Sequence, residues 1–169
     1  IMTSGIHQTF EPHPGTLPAA FLQEYPGQSC LRVSTANAGE FLVRHFKMAY
    51  TGDYWWSSSQ IIPGSPMRMS CWVYGDGLAT NTLRFKLMNY VDRTMTGIVN
   101  GAWTKLTLDF TVTNFITSGT SVDGPSFYFR GPGAVYLDKV MVYNTAAPGG
   151  ACGESEHVLR MWREYSAGG

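Results

Sequence analysis

Seven stretches of the chain alternate between apolar and polar residues, which is the period expected of β-strands. They span residues 29–34, 41–48, 67–74, 82–90, 103–112, 126–130 and 134–143. Separators rich in glycine and proline, such as GDG, NGA and GPG, divide them, and these residues favour tight turns. No helical segment between them is long enough to connect parallel strands. The pattern therefore predicts an all-β fold, an antiparallel two-sheet sandwich over residues 1–147.

The alternation also assigns side chains to the two faces of each strand. We expect the core to receive the apolar face of two central strands, which consists of Met67, Met69, Cys71 and Val73 and of Leu106, Leu108, Phe110 and Val112. The opposite faces carry aromatic and arginine side chains. We expect one outward face to present Trp72, Tyr74, Arg84, Tyr90, Tyr128 and Arg130.

The end of the chain changes character. Residues 148–169 predict a loop followed by a short amphipathic helix at 154–166, with Ser155 as its N-cap. Its apolar stripe consists of Val158, Leu159, Trp162 and Tyr165. Because so short a helix is marginal alone in water, this stripe must dock. Two surfaces are open to it, the chain's own sandwich or a neighbouring subunit.

Composition excludes several classes of function. The net charge is zero at pH 7, so no basic excess is present to neutralise a nucleic-acid backbone. No apolar run is long enough to span a bilayer. The cysteines Cys30, Cys71 and Cys152 are odd in number and follow no metal-ligand spacing, which allows at most one disulfide bond.

Catalytic chemistry has no recognisable arrangement in the sequence. The acidic residues are scattered, and His7, His13, His45 and His157 fall near no serine or cysteine nucleophile motif. A metal cluster of His7, Glu11 and His13 matches no known ligand spacing. The sequence indicates a protein that is not an enzyme.

Four segments resemble the galactose-binding-like jelly roll of carbohydrate-binding modules: GQSCLRVS, SQIIPGSPMRMSCWVYGDG, GAWTKLTLDFTV and GAVYLDKVMVYN. Phage virion proteins that carry such a jelly roll often end in a helix of the pattern E-L-x-x-C-Q-R-Y-Y. The segment HVLRMWREY is similar at Val158, Arg163 and Tyr165, and it departs from the pattern at Met161, Trp162 and Glu164.

The resemblance implies a structural Ca²⁺, held by Glu11 in TFEPHPG and by Asp138 in VYLDKV. Lys139 stands where a second acid is often found, which weakens such a site. The alternative is an Asp138–Lys139 pair that is merely solvated at a strand end.

Sugar binding requires a flat aromatic ring for stacking and planar polar groups for hydroxyls. Two places are candidates. One is the predicted loop with Tyr54, Trp55 and Trp56, and the other is the outward strand face with Trp72, Tyr74, Arg84, Tyr90 and Arg130. Burial of the aromatic rings competes with the first reading, and a subunit interface competes with the second.

The function expected first is that of a non-enzymatic phage tail-fibre or capsid-surface domain, located in the virion, with cell-surface glycans as candidate ligands. Its partners would be copies of itself, with a trimer favoured, or other virion proteins. One alternative is a carbohydrate-binding module of a secreted polysaccharide-degrading enzyme. Another is a purely structural domain of an extracellular fibre.

Overall fold

The computed structural model describes residues 5–24, 29–48, 64, 66–87, 91–111 and 122–146. The described part is almost entirely β-structure, as predicted, with one five-residue helix. The elements are β1 (Ile6–Glu11), α1 (Ala19–Gln23), β2 (Cys30–Met48), β3 (Pro66–Asp76), β4 (Thr82–Leu87), β5 (Val91–Thr96), β6 (Trp103–Thr111) and β7 (Val122–Asn144). The predicted helix at 154–166 lies outside the described residues.

The strands form an antiparallel jelly-roll sandwich of two layers. Layer A consists of β1, the first part of β2 (30–35), the second part of β7 (133–144), β3 and β6. Layer B consists of the second part of β2 (39–48), the first part of β7 (122–131), β4 and β5. The two long strands β2 and β7 pair with each other in both layers, so one hydrogen-bonded network runs around the sandwich.

The GPG sequence at 131–133, which suggests a turn, lies inside β7 at the point where this strand passes between the layers. Gly133 has a φ of 120°, and a Cβ there would lie 2.6 Å from the carbonyl oxygen of Gly77. At Gly131 a Cβ would lie 2.5 Å from the carbonyl oxygen of Asn37. Both positions therefore need glycine because neighbouring backbone approaches closely.

Some of the predicted strand boundaries were wrong. The stretches 29–34 and 41–48 are parts of β2, and 126–130 and 134–143 are parts of β7, because glycines bend a strand as well as end it. The stretch 82–90 contains β4, and its residues 88–90 lie outside the described part of the chain. Strands β1 and β5 were missed, because most of their side chains are exposed and give little apolar alternation.

The main core fills the space between the layers. Phe85 of layer B contacts Phe110 of layer A, with ring centroids 6.1 Å apart, and it also contacts Phe127 at 5.3 Å. The predicted apolar face of β3 is confirmed, since Met67, Met69, Cys71 and Val73 are all buried. Among the described residues Cys30 and Cys71 are free thiols, and burial raises the pKa of the Cys71 thiol to about 12.

A second apolar cluster covers the outer face of layer A. The segment 12–24, which contains α1, packs there and places Phe21 against Trp72 and Trp103, with ring centroids 5.3 and 5.2 Å away. The Nε1 atom of Trp103 donates to the carbonyl oxygen of Pro14 over 2.8 Å. This third layer was not predicted, because α1 is too short to show a helical period.

We expect Gly133→Ala to lower the free energy of unfolding by about 2 to 4 kcal/mol, because it adds a backbone clash to an unfavourable φ. The control is Gly101→Ala, which has a φ of 84° but open space around its Cβ position. It should lose only about 1 to 2 kcal/mol. Urea unfolding measures both, and equal losses would contradict the role given to the bend.

Candidate functional site

The predicted aromatic and arginine face is divided between the two layers. Trp72 lies on layer A and is only 5% exposed, because Phe21 covers it. Tyr74 is half-buried beside Trp103 and Tyr136, with ring centroids 5.7 and 5.6 Å away. Trp72 is therefore not a surface for stacking a sugar. The single outward face predicted from alternation was wrong in this respect, since alternation does not reveal which layer a strand joins.

Arg84 and Arg130 are on the outer face of layer B, as the alternation predicted. Arg130 is exposed and pairs in register with Glu40. The other predicted residues lie outside the described part of the chain: the sugar-site candidates Tyr54, Trp55, Trp56 and Tyr90, and the helix stripe Val158, Leu159, Trp162 and Tyr165.

Arg84 is the centre of a group of four side chains on layer B, which we call the Arg84 cluster: Glu40, Arg84, Asp92 and Tyr128. Strand pairing assembles it. Arg84 on β4 is directly opposite Tyr128 on β7, and Asp92 lies on the neighbouring strand β5. Glu40 comes from the second part of β2, on the far side of β7. Four adjacent strands of one layer thus each contribute a side chain.

In the Arg84 cluster, the guanidinium forms ion pairs with two carboxylates and lies beside the Tyr128 ring. Arg84 donates from Nε and Nη2 to the two carboxylate oxygens of Asp92, each over 2.6 Å. Its Nη1 donates to Oε1 of Glu40, also over 2.6 Å. The guanidinium carbon lies 5.3 Å from the ring centroid of Tyr128, which is within the range of a cation–π contact.

These contacts leave hydrogen-bonding capacity unused within the cluster. A guanidinium has five N–H donors, and three are engaged by the two carboxylates. Each carboxylate has acceptor sites beyond those that Arg84 occupies. The side chains of Arg84, Glu40 and Asp92 are about one third to one half exposed, so these groups are accessible from solvent.

The electrostatics hold the cluster in its charged form. Hydrogen bonds from Arg84 keep the pKa of the Asp92 carboxyl below its usual range. The same bonds, with Asp92 and then Glu40 as partners, raise the pKa of Arg84 further above its ordinary value. The Asp92 carboxylate is therefore a hydrogen-bond acceptor and not a source of protons.

Two other arginines, on layer A, also pair with polar side chains. Arg68 forms a bidentate pair with Asp109 over 2.6 and 2.8 Å, which is an ordinary surface ion pair. Arg32 donates to the hydroxyl of Tyr136, but Tyr136 is only 7% exposed. Tyr128 is half-buried, so its ring is more accessible than that of Tyr136 in the Arg32 pair.

Strand alternation indicates little of the cluster beyond Arg84 and Tyr128. Tyr128 was placed on an outward face, but Glu40 and Asp92 were not expected to take part. Arg84 and Asp92 are eight residues apart, a separation that brings them together only because β4 and β5 form a hairpin. Glu40 is 44 positions away, and no local pattern indicates its contact with Arg84.

The expected calcium ligands have protein partners. Asp138 accepts from the backbone N–H of Lys139 over 2.7 Å and lies 2.6 Å from Nε2 of His13. Glu11 accepts from the Thr9 hydroxyl over 2.7 Å and lies 4.0 Å from Nε of Arg32. Within the described part of the chain, no three His, Cys, Asp or Glu side chains are grouped so as to hold a metal ion.

No protein-family model and no curated protein sequence matches this chain. Solved structures match in fold. The carbohydrate-binding module TmCBM61, in complex with β-1,4-galactotriose, has a TM-score of 0.46 and 9% identity, over 83% of this chain and 89% of its own. The CBM22-1 xylan-binding domain of Xyn10C from Paenibacillus barcinonensis has a TM-score of 0.44 and 13% identity, over 86% and 85%.

The enzymatically active domain of tailspike protein 4 from bacteriophage CBA120 also matches, with a TM-score of 0.45 and 11% identity. The match covers 82% of this chain but only 19% of the tailspike chain. With TM-scores below 0.5, none of these similarities carries an argument about function. Among the described helices, none has the length and hydropathy to cross a membrane.

We expect Arg84→Gln to raise the pKa of Asp92 toward the ordinary value of about 3.9, because its main hydrogen-bond donor is lost. Since the folded-state pKa is depressed, the pair stabilises the fold above the ordinary pKa, and this contribution is lost as pH falls through the folded pKa. Carboxyl titration by NMR measures the shift. Arg68→Gln is the control and should move the pKa of Asp109 alone, so an unmoved Asp92 in Arg84→Gln would contradict the assignment.

Proposed function

We propose that this domain binds carbohydrate without catalysis, on the outer face of layer B. The Arg84 cluster is the observation that carries the proposal. It places a half-buried tyrosine ring, a guanidinium and two carboxylates on adjacent strands of one layer.

A sugar presents both apolar C–H faces and directional hydroxyl groups, so its binding site needs a ring beside polar groups of both kinds. Tyr128 supplies a ring, Arg84 has unused N–H donors, and Glu40 and Asp92 have unused acceptor sites. Because strands hold all four side chains and ion pairs fix three of them, little conformational entropy would be lost when a ligand binds.

The same geometry disfavours hydrolysis of the bound sugar. A glycosidase needs a carboxylic acid that is still protonated near neutral pH, which requires a raised pKa. Both carboxylates of the cluster instead accept hydrogen bonds from Arg84, and the pKa of Asp92 is lowered. Binding is therefore the chemistry that the cluster supports.

The wider setting that we propose is the surface of a phage virion, where the domain would adsorb to glycans of the host cell as part of a homo-oligomer. Support for this setting comes from the resemblance of residues 154–166 to the terminal helix of such virion proteins. A module of a secreted polysaccharide-degrading enzyme would use the same binding face, so the setting and the binding site are separate proposals.

We expect Tyr128→Ala and Arg84→Met to reduce glycan affinity at least about tenfold. The first removes the ring and the second removes the N–H donors. A glycan array followed by calorimetry on the best ligand measures the loss. Phe10→Ala is the matched control, because Phe10 is an exposed aromatic residue on β1 in the other layer. It should bind as the wild type does.

The loop candidate is tested in the same experiment. Replacing Tyr54, Trp55 and Trp56 together with alanine should leave affinity unchanged if the Arg84 cluster is the site. If the triple variant loses binding and Tyr128→Ala retains it, the site is the loop and the proposal fails. Absence of binding to every glycan on the array would contradict carbohydrate binding itself.

If the chain forms the proposed trimer, light scattering should give the mass of three chains in solution. Deleting residues 151–169 should give a monomer, because the apolar stripe of the predicted helix would form the subunit contact. Circular dichroism of the truncated chain checks that its β-structure persists. A monomeric full-length chain would contradict the oligomer but would leave the binding face untouched.

A further inference from the structure

Strand β7 contains a β-bulge at Lys139. Trp72 pairs with Asp138 and Ser70 pairs with Met141, so the single residue Cys71 of β3 is opposite two residues of β7. Lys139 has a φ of 50°, and it is the one non-glycine with positive φ among the described residues. An L-residue in this conformation is strained by about 1 to 2 kcal/mol, which indicates that contacts of the Lys139 side chain offset the strain.

The bulge sends the Lys139 side chain out of the core and into the cluster that covers layer A. Val140 takes the core position and is 4% exposed. The Nζ atom of Lys139 donates to the carbonyl oxygen of Phe21 over 2.5 Å and lies 4.1 Å from the centroid of that ring. Lys139 itself is only 4% exposed, so a whole lysine side chain is enclosed between α1 and the sheet.

Asp138 is buried beside this lysine, with one oxygen bonded to the Lys139 N–H and the other 2.6 Å from His13. Burial lowers the pKa of Lys139, whereas the Asp138 and Glu24 carboxylates oppose this by favouring its charged form. A buried charge requires such compensation.

Each carboxylate of this region has its own cation. Glu24 pairs with Lys105 over 2.5 Å and Glu11 lies 4.0 Å from Arg32. Asp138 lies 2.6 Å from His13 and interacts electrostatically with the Lys139 ammonium. Among the described residues of this region, three acids are thus balanced by three lysine or arginine cations, and no carboxylate charge is in excess. A Ca²⁺ site favours a surplus of negative charge, and the described residues of this region provide none.

We propose that the Lys139 ammonium is the structural cation at this end of the sandwich, so that the fold requires no divalent metal ion. It joins α1 to β7 through the Phe21 carbonyl and compensates the buried Asp138. The bulge is what delivers the side chain to that place. The expected ligand pair Glu11 and Asp138 accordingly serves protein contacts instead of Ca²⁺.

The first test is thermal unfolding of the full chain, once after removal of metals with EDTA and once with about 5 mM Ca²⁺ added. That concentration is on the order of the dissociation constants of the weakest protein calcium sites. The proposal expects the two Tm values to agree within about 1 °C. A Tm that falls in EDTA and is restored by Ca²⁺ would overturn it.

The second test compares Lys139→Met with Lys105→Met. Methionine keeps the apolar stem but removes the ammonium, which leaves the Phe21 carbonyl without its donor and removes a positive charge that interacts with Asp138. Lys139→Met should lower the Tm by at least about 6 °C, whereas the more exposed Lys105 should change it by about 2 °C or less. Equal shifts in Tm would overturn the structural role of Lys139. If Lys139→Met does not fold, the EDTA comparison on the wild type is the deciding test.

Discussion

The pairing of β2 with β7 through both layers is the constraint on which the rest of the structure depends. These two strands pair on both sides of the passage from layer A to layer B, with a register shift between Thr35 and Gly39. The passage is possible only where Gly131 and Gly133 allow backbone segments to approach closely. Steric freedom at two positions therefore sets how the layers face each other.

The two faces of this framework serve different purposes. On layer A, the segment 12–24 covers Trp72 and Trp103, so aromatic residues that alternation places outside the core are still buried. On layer B, the described residues include no comparable cover over the Arg84 cluster, whose side chains are partly exposed. The cover on layer A therefore contributes to stability, whereas layer B presents an accessible polar surface.

The Arg84 cluster and the group of Lys139 and Asp138 illustrate how burial changes the role of opposite charges. At the surface, Arg84 with Glu40 and Asp92 contributes little to stability but fixes the positions of donors and acceptors. Under α1, Lys139 is enclosed with Asp138, and either partner alone would be an uncompensated buried charge. Position in the sandwich, more than residue type, decides which role an ion pair has.

The sequence alone determined the fold class and the core of β3, because strand alternation is a local property that needs no knowledge of distant residues. It also placed Arg84 and Arg130 on an outward face. Only the tertiary structure decided that Trp72 is covered, that Glu40 reaches Arg84 and that Lys139 is turned toward Phe21. These contacts join residues that are 51, 44 and 118 positions apart. They depend on strand order and on a bulge, and neither is encoded in the period of a single strand.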